Sequence, residues 1–205
     1  MKRWQHIGCF LAMLLGCLGL GGCAVRFFQS TRREPELSVQ QLLHKQLEVF
    51  PPGWTLDGAE IWTDTDFTWA RWAVAAHFGY EGDFVSEEVH IFRNPLVARI
   101  ITRPSPPSLA ARKGYIPEGW TYRPPHADRF EFGCSGGEGV SQPKWCSLIL
   151  RYEEYIIVLG APIGDHLTLS DLQRILEVID KEMNDYLQHS TLCPGLRSVP
   201  ASLDE

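Results

Sequence analysis

Two segments of the chain carry hydrophobic residues at the spacing of an amphipathic helix. One begins after Ser38, which forms a capping-box pattern with Gln41, and ends before Pro51-Pro52-Gly53. The other begins after Thr168, which is paired in the same way with Asp171. Its apolar stripe comprises Leu169, Leu172, Ile175, Leu176, Ile179, Met183 and Leu187. A third, shorter helix is predicted from Asn94-Pro95 to Ile101, because Asn is a good N-cap and Pro suits the first helical position.

Strand-like alternation predicts a sheet between these helices. The clearest case covers residues 68–80, where Val74, Ala76 and Phe78 share one face and Ala73 and Ala75 share the other, more polar face. Further strands are predicted near residues 54–61, 87–93, 128–134 and 145–159. We therefore expect an α+β fold: a single domain with a mostly antiparallel sheet and helices packed on one face.

The apolar stretch of residues 148–159 is interrupted by Glu153-Glu154. Adjacent strand residues face opposite sides of a sheet, so the two carboxylates cannot share a proton in one site. A turn or bulge at this pair, which would split the stretch into a hairpin, is the simpler interpretation.

A five-residue motif, P-x-G-W-T, occurs at residues 51–55 and again at residues 117–121. It could record a duplicated α-β-β unit. Alternatively, Gly-Trp after Pro forms a turn with an aromatic anchor, which any sheet can use. The sequence leaves both interpretations open.

The N-terminus has the pattern of an export signal. Lys2 and Arg3 precede an apolar run over residues 9–20, and the segment ends Leu20-Gly21-Gly22-Cys23. This ending resembles the lipobox of bacterial lipoproteins, an aliphatic residue and two small residues before a cysteine. The resemblance covers the first 23 residues and implies acylation of the Cys23 thiol and cleavage before it. Alternatives are an uncleaved transmembrane helix and an ordinary signal peptide.

This resemblance leads to a division of the chain. Residues 1–22 would be the signal peptide, 23–36 a membrane-proximal tether, 37–187 the globular domain and 188–205 a disordered tail. The protein would be anchored through Cys23 in the cell membrane and face the extracytoplasmic side. Arg26, Arg32 and Arg33 in the tether could contact lipid phosphates, or the tether could simply be solvated.

The net charge argues against one class of partner. The formal charge is −6, and removal of Lys2 and Arg3 with the signal leaves −8. Binding to nucleic acid phosphates requires clustered Lys and Arg, so we expect no nucleic acid partner. Six of the seven tryptophans follow the signal, which indicates either a well-filled core or a recognition surface.

The cysteines predict one disulfide. Cys9 and Cys17 would leave with the signal and Cys23 would carry lipid, so Cys134, Cys146 and Cys193 remain. Cys134 ends one predicted strand and Cys146 begins the next, and export permits disulfides to persist. We expect a Cys134–Cys146 bridge, with buried free thiols as the alternative, and Cys193 free or in an intermolecular bridge.

Candidate catalytic chemistry is sparse. Residues 133–137 form a literal G-x-S-x-G around Ser135, but no helical pattern follows, as a nucleophile elbow would require. No zinc-ligand spacing or cofactor fingerprint is present, so we expect no metal and no cofactor. We expect a binding or interaction module without enzymatic activity. The alternatives are an envelope serine hydrolase using Ser135 and a structural or assembly factor of the envelope.

Overall fold

The computed structural model describes residues 30–62, 70–101, 114–135 and 144–194. Within these ranges, six strands form one antiparallel sheet and two short strands form another. The strands are β1 (Thr31–Glu34), β2 (Thr55–Trp62), β3 (Ala70–Tyr80), β4 (Asp83–Phe92), β5 (Arg129–Ser135), β6 (Trp145–Tyr152), β7 (Tyr155–Pro162) and β8 (Thr191–Pro194). The helices are α1 (Val39–Leu47), α2 (Pro95–Ile101) and α3 (Leu169–His189). The predicted α+β fold with a mostly antiparallel sheet is confirmed.

The large sheet is built from two three-stranded meanders. Its strand order is β2-β3-β4-β7-β6-β5, so β4 and β7 pair at the centre while β2 and β5 form the two edges. The β6–β7 hairpin turns at Glu153 and Glu154, with Glu153 at φ 51°. The predicted turn within the 148–159 stretch is therefore confirmed.

Helices α1 and α3 cover one face of the sheet and enclose the main core, which includes Leu43, Phe78, Leu148 and Ile175. Both predicted N-caps are present. The Ser38 hydroxyl accepts a hydrogen bond from the Gln41 backbone, and a reciprocal capping box closes the first turn of α3.

The short helix α2 packs on the opposite face of the sheet. Val97 and Ala98 contact a second cluster formed by Phe92, Ile149 and Ile156. The side chain of Asn94 accepts a hydrogen bond of 2.9 Å from the Val97 backbone, as predicted for an N-cap. This face is therefore not fully solvated, and Ala73 and Ala75 of β3 are buried although the alternation placed them on the polar side.

The predicted boundaries of the tether and the tail are wrong where the structure describes these segments. Within the tether, residues 31–34 form β1; within the tail, α3 continues to His189 and residues 191–194 form β8. These strands pair antiparallel, with Arg32 opposite Cys193. Four-residue polar strands have no apolar alternation, so their pairing has no local sequence signal.

Two predictions lie outside the described residues: the signal peptide with Cys23, and the part of the tail after Pro194. Within the described ranges, none of the helices has the length and apolarity needed to cross a membrane.

Candidate functional site

The two P-x-G-W-T motifs adopt the same turn. In each, the tryptophan backbone N–H donates to the carbonyl of the proline three positions earlier, at 3.4 Å for Trp54 and 3.1 Å for Trp120. The glycines lie at positive φ, 97° for Gly53 and 80° for Gly119, as the third residue of a type II turn requires. The turns precede β2 and β5, the two edge strands of the sheet. The turn-and-anchor interpretation is confirmed, and the matching placement is compatible with duplication.

The two tryptophans differ in their exposure. Trp54 is buried between Phe50 and Tyr80, with ring centroids 5.3 and 6.0 Å away, and its indole N–H donates to the carbonyl of His166. Trp120 is partly exposed and stacks on Phe132 at 4.4 Å. The first turn therefore closes the core, whereas the second leaves an aromatic side chain partly exposed.

Trp120 lines an open cavity of about 430 Å³ beside β5, which we call the β5 groove. The volume falls within the range of small-molecule and peptide side-chain sites. Most of the lining is aromatic or aliphatic, with one cation and one carboxylate. The lining residues are Gly114, Ile116, Trp120, Thr121, Tyr122, Arg123, Phe130, Glu131 and Phe132.

Among the described residues, the outer edge of β5 pairs only at Cys134, and the groove lies beside the rest of this edge. Tyr115 and Cys134 exchange two backbone hydrogen bonds of 3.1 and 2.9 Å. Gly114 makes this approach possible, because a Cβ there would lie 2.6 Å from backbone atoms of Gly133 and Cys134. Cys134 therefore points its backbone groups away from β6. In a regular ladder, the backbone N–H and C=O groups of every second residue point to the same side of the strand. Phe132 and Phe130 therefore also direct their backbone groups away from β6.

The predicted disulfide between Cys134 and Cys146 is confirmed. The two residues lie directly opposite each other, with Cα atoms 4.0 Å apart. They form a non-hydrogen-bonded pair, the arrangement in which side chains of facing strands approach most closely. The bridge fastens edge strand β5 to β6 at one end of the groove, while Cys193 is a free thiol.

Replacing both Cys134 and Cys146 with alanine should lower the free energy of unfolding by about 3 kcal/mol. The bridge restricts the conformations of the unfolded chain, and a loop of this length gives a loss of that size. Urea denaturation monitored by circular dichroism measures the change. Cys193→Ser is the control and should have little effect. Equal stability of the double variant and the parent would contradict a stabilising role for the bridge.

A buried carboxylate fastens the segment that follows the second turn to α3. Asp180 accepts 2.7 and 3.2 Å hydrogen bonds from the ring and backbone of His126, and a 3.0 Å bond from the Tyr152 hydroxyl. Burial, together with the Asp180 charge, raises the pKa of Tyr122 to about 12, so this groove residue stays a neutral donor. The contacts hold one wall of the groove in place. No sequence signal identified them, because His126 and Asp180 are 54 positions apart.

Ser135 is the last residue of β5, and its hydroxyl donates a 3.3 Å hydrogen bond to the carbonyl of Trp145. The described contacts of this hydroxyl include no histidine or carboxylate. His166 contacts Asp83 at 2.9 Å, and His189 bonds to the Asp185 carbonyl. In the described ranges, no histidine or carboxylate is thus hydrogen-bonded to Ser135, as a catalytic serine would require, and no group of three His, Cys, Asp or Glu is arranged to hold a metal ion.

The fold defines an α+β domain with a six-stranded antiparallel sheet. No protein-family model and no curated protein matches the chain. The structure is similar to the extracellular domain of PknH from Mycobacterium tuberculosis, with a TM-score of 0.43 and 12% identity over 73% of this chain and 92% of that chain. A similarity at this level transfers no ligand or activity.

Proposed function

We propose that this protein is a lipid-anchored binding module of the extracytoplasmic face, which holds an extended polypeptide segment along edge strand β5. The observation that carries the proposal is the β5 groove beside an edge that, in the described part of the chain, pairs outward only between Cys134 and Tyr115. We infer binding rather than catalysis, because the polar contacts around the groove, those of Asp180 with His126 and of Tyr115 with Cys134, hold its wall and its edge strand in place.

The geometry supports an extended peptide over a compact ligand. A peptide added to a sheet edge gains affinity from main-chain hydrogen bonds and specificity from pockets for alternate side chains. The outward backbone groups of Phe130 and Phe132 would supply the hydrogen bonds. The surface formed by Trp120 and Ile116 would take an apolar side chain, and Arg123 would favour a carboxylate nearby.

Trp120→Ala should weaken peptide binding by tenfold or more, since a central aromatic anchor typically contributes above about 1.4 kcal/mol. The probe is a library of random decapeptides, selected on the lipid-free mature chain, with affinities measured by calorimetry. Trp145→Ala is the matched control, because Trp145 is also partly exposed but packs with Phe84 and over Gly160 instead. Equal affinities of both variants would contradict the groove assignment.

A proline at position 130 tests the main-chain hydrogen bonds. Phe130→Ala removes only the side chain, whereas Phe130→Pro also removes the outward N–H, and edge strands tolerate proline. We expect the proline variant to bind more weakly than the alanine variant at equal stability. Equal binding by the two would exclude strand addition and favour a compact ligand held by side chains.

The lipid anchor has support of its own. Leu20-Gly21-Gly22-Cys23 resembles a lipobox, and a disulfide suits an oxidising compartment. In a bacterial host, the mature N-terminal peptide should begin at Cys23 and carry acyl mass, and the protein should enter the detergent phase. Cys23→Ser should lose both properties. An unmodified peptide that begins elsewhere would refute the anchor.

A further inference from the structure

The start of the described chain is fixed beside helix α2. The backbone N–H and hydroxyl of Thr31 donate to the carbonyl of Arg93, at 2.7 and 3.0 Å. Arg71 donates a 3.1 Å hydrogen bond to the carbonyl of Thr31. Arg93 lies between β4 and α2, so the polypeptide coming from the N-terminus meets the domain at this helix.

The outer side of α2 is apolar. Leu96 and Ile100 are one helical turn apart and are 41% and 46% exposed, while Val97 and Ala98 face the sheet. Arg99 is exposed between them. We call Leu96, Arg99 and Ile100, together with the adjoining Arg71 and Arg93, the α2 face. Exposed aliphatic side chains flanked by arginines are typical of a surface that lies in a membrane interface.

The distance to the lipidated cysteine limits how far this face can lie from the bilayer. Cys23 and Thr31 are eight positions apart, a distance of at most about 28 Å when the chain is fully extended. A lipid on Cys23 therefore keeps the α2 face within reach of the membrane surface.

The charges of the domain favour the same orientation. The mature chain is acidic, yet the α2 face carries three arginines. Glu81 and Asp83 lie at the β3–β4 hairpin, at the other end of β4, which is about 30 Å long at the usual rise per residue. Anionic headgroups attract the arginine-bearing end and repel the acidic end.

We propose that the α2 face is a second membrane contact, which docks on anionic phospholipid and holds the domain with its β3–β4 hairpin pointing away from the bilayer. This inference rests on the proposed anchor at Cys23. The lipid gives attachment, and the α2 face gives orientation.

Amide hydrogen exchange on vesicles tests the docking. The lipidated protein is placed on phosphatidylcholine vesicles with or without one third phosphatidylglycerol. On the vesicles that contain phosphatidylglycerol, amide exchange in residues 95–101 should be roughly fivefold or more slower than on pure phosphatidylcholine vesicles. The hairpin at residues 80–83 should not change. The double variant Leu96→Ser, Ile100→Ser should lose the protection but should still float with the vesicles in a density gradient. Phe84→Ser is the control: it alters a side chain that is 51% exposed beside the hairpin, and the protection of residues 95–101 should remain.

A second attachment separates this inference from the anchor itself. Residues 24–205 with an N-terminal hexahistidine are bound to vesicles through a nickel-chelating lipid, so acylation is not required. Protection of residues 95–101 on anionic vesicles would support docking even if Cys23 carries no lipid. Flotation without protection in both formats would overturn it. Concentration-dependent protection in solution, equal to that on vesicles, would identify a second copy of the chain as the occupant and would also overturn it.

Discussion

Arg33→Met should destabilise the domain by about 3–5 kcal/mol at neutral pH, because it leaves a buried carboxylate without its counter-charge. Arg33 and Glu154 are 6% and 3% exposed, and the Arg33 Nε donates to Glu154 at 2.9 Å. The same guanidinium contacts Glu153 and the Ser190 carbonyl, at the end of α3. Loss of this single side chain therefore also weakens the attachment of β1 to the body of the domain.

The loss should depend on pH with a definite sign. Burial raises the pKa of Glu154 even with Arg33 in place, and removal of the cation raises this pKa further. Above the usual glutamate pKa, the unfolded chain releases the proton of Glu154, whereas the folded state, with its raised pKa, retains it. The free energy of unfolding therefore falls as pH rises above the usual glutamate range. The difference in the free energy of unfolding between Arg33→Met and the parent should shrink in acid, where Glu154 is protonated in the folded and the unfolded states alike.

The adjoining residue provides the control. Arg32 pairs with Glu34 at the protein surface, where water screens the pair, so Arg32→Met should change the stability far less than Arg33→Met. Glu154→Gln in the Arg33→Met background should restore part of the loss, because it removes the unpaired charge. Chemical denaturation between pH 4 and 8 measures all three variants. Similar effects for Arg32→Met and Arg33→Met would show that burial of this pair is unimportant.

The elements that the sequence identified have local signals. Helix α3 has its capping box and its stripe within 21 residues, and the hairpin of β6 and β7 is marked by two adjacent charges. The bridge between Cys134 and Cys146 followed from elimination and from a short loop. In each case, the residues that determine the element are close in the chain, so periodicity and turn chemistry suffice.

The β5 groove could be foreseen only in its components. The second P-x-G-W-T motif indicated that Trp120 anchors a turn, but the same motif buries Trp54. The difference depends on which side chains arrive from elsewhere, Phe50 and Tyr80 around Trp54 and Phe132 beneath Trp120. The attachment of β1 through Arg33 depends on contacts with residues more than 100 positions away. Composition and spacing contain no information about such contacts.

Glu87→Gln should stabilise the protein by up to about 3 kcal/mol above pH 7. It should also remove the fall in stability with rising pH that ionisation of Glu87 causes. Glu87 is fully buried in the main core, where the Gln46 amide donates a 3.0 Å hydrogen bond to one carboxyl oxygen of Glu87. Desolvation raises the pKa of Glu87 to about 7 from an ordinary value of 4.5. Between these pH values the folded state retains a proton that the unfolded chain releases. Stability therefore falls by about 3 kcal/mol as pH rises through this window.

The atoms that lack partners indicate which form fits the core. Within the described structure, the second oxygen of Glu87 and the amide oxygen of Gln46 have no hydrogen-bond partner. A protonated Glu87 has a hydrogen to offer the Gln46 oxygen, whereas an ionised one presents two acceptors to a single donor group. Glutamine at position 87 supplies such a donor at every pH and never carries the charge, so the gain should appear only where Glu87 would ionise.

Thermal denaturation from pH 4 to pH 8.5 measures the effect, with Glu88→Gln as the control of opposite sign. Glu88 is the next residue of β4 but faces the other side of the sheet, and its hydrogen bond with His90 lowers the pKa of Glu88. A lowered pKa contributes stability above the usual glutamate range, and this contribution is lost as pH falls. Glu88→Gln should therefore lower stability at neutral pH, whereas Glu87→Gln should raise it. If Glu87→Gln instead destabilises the domain equally at every pH, Glu87 is not the group whose ionisation limits the stability of this core.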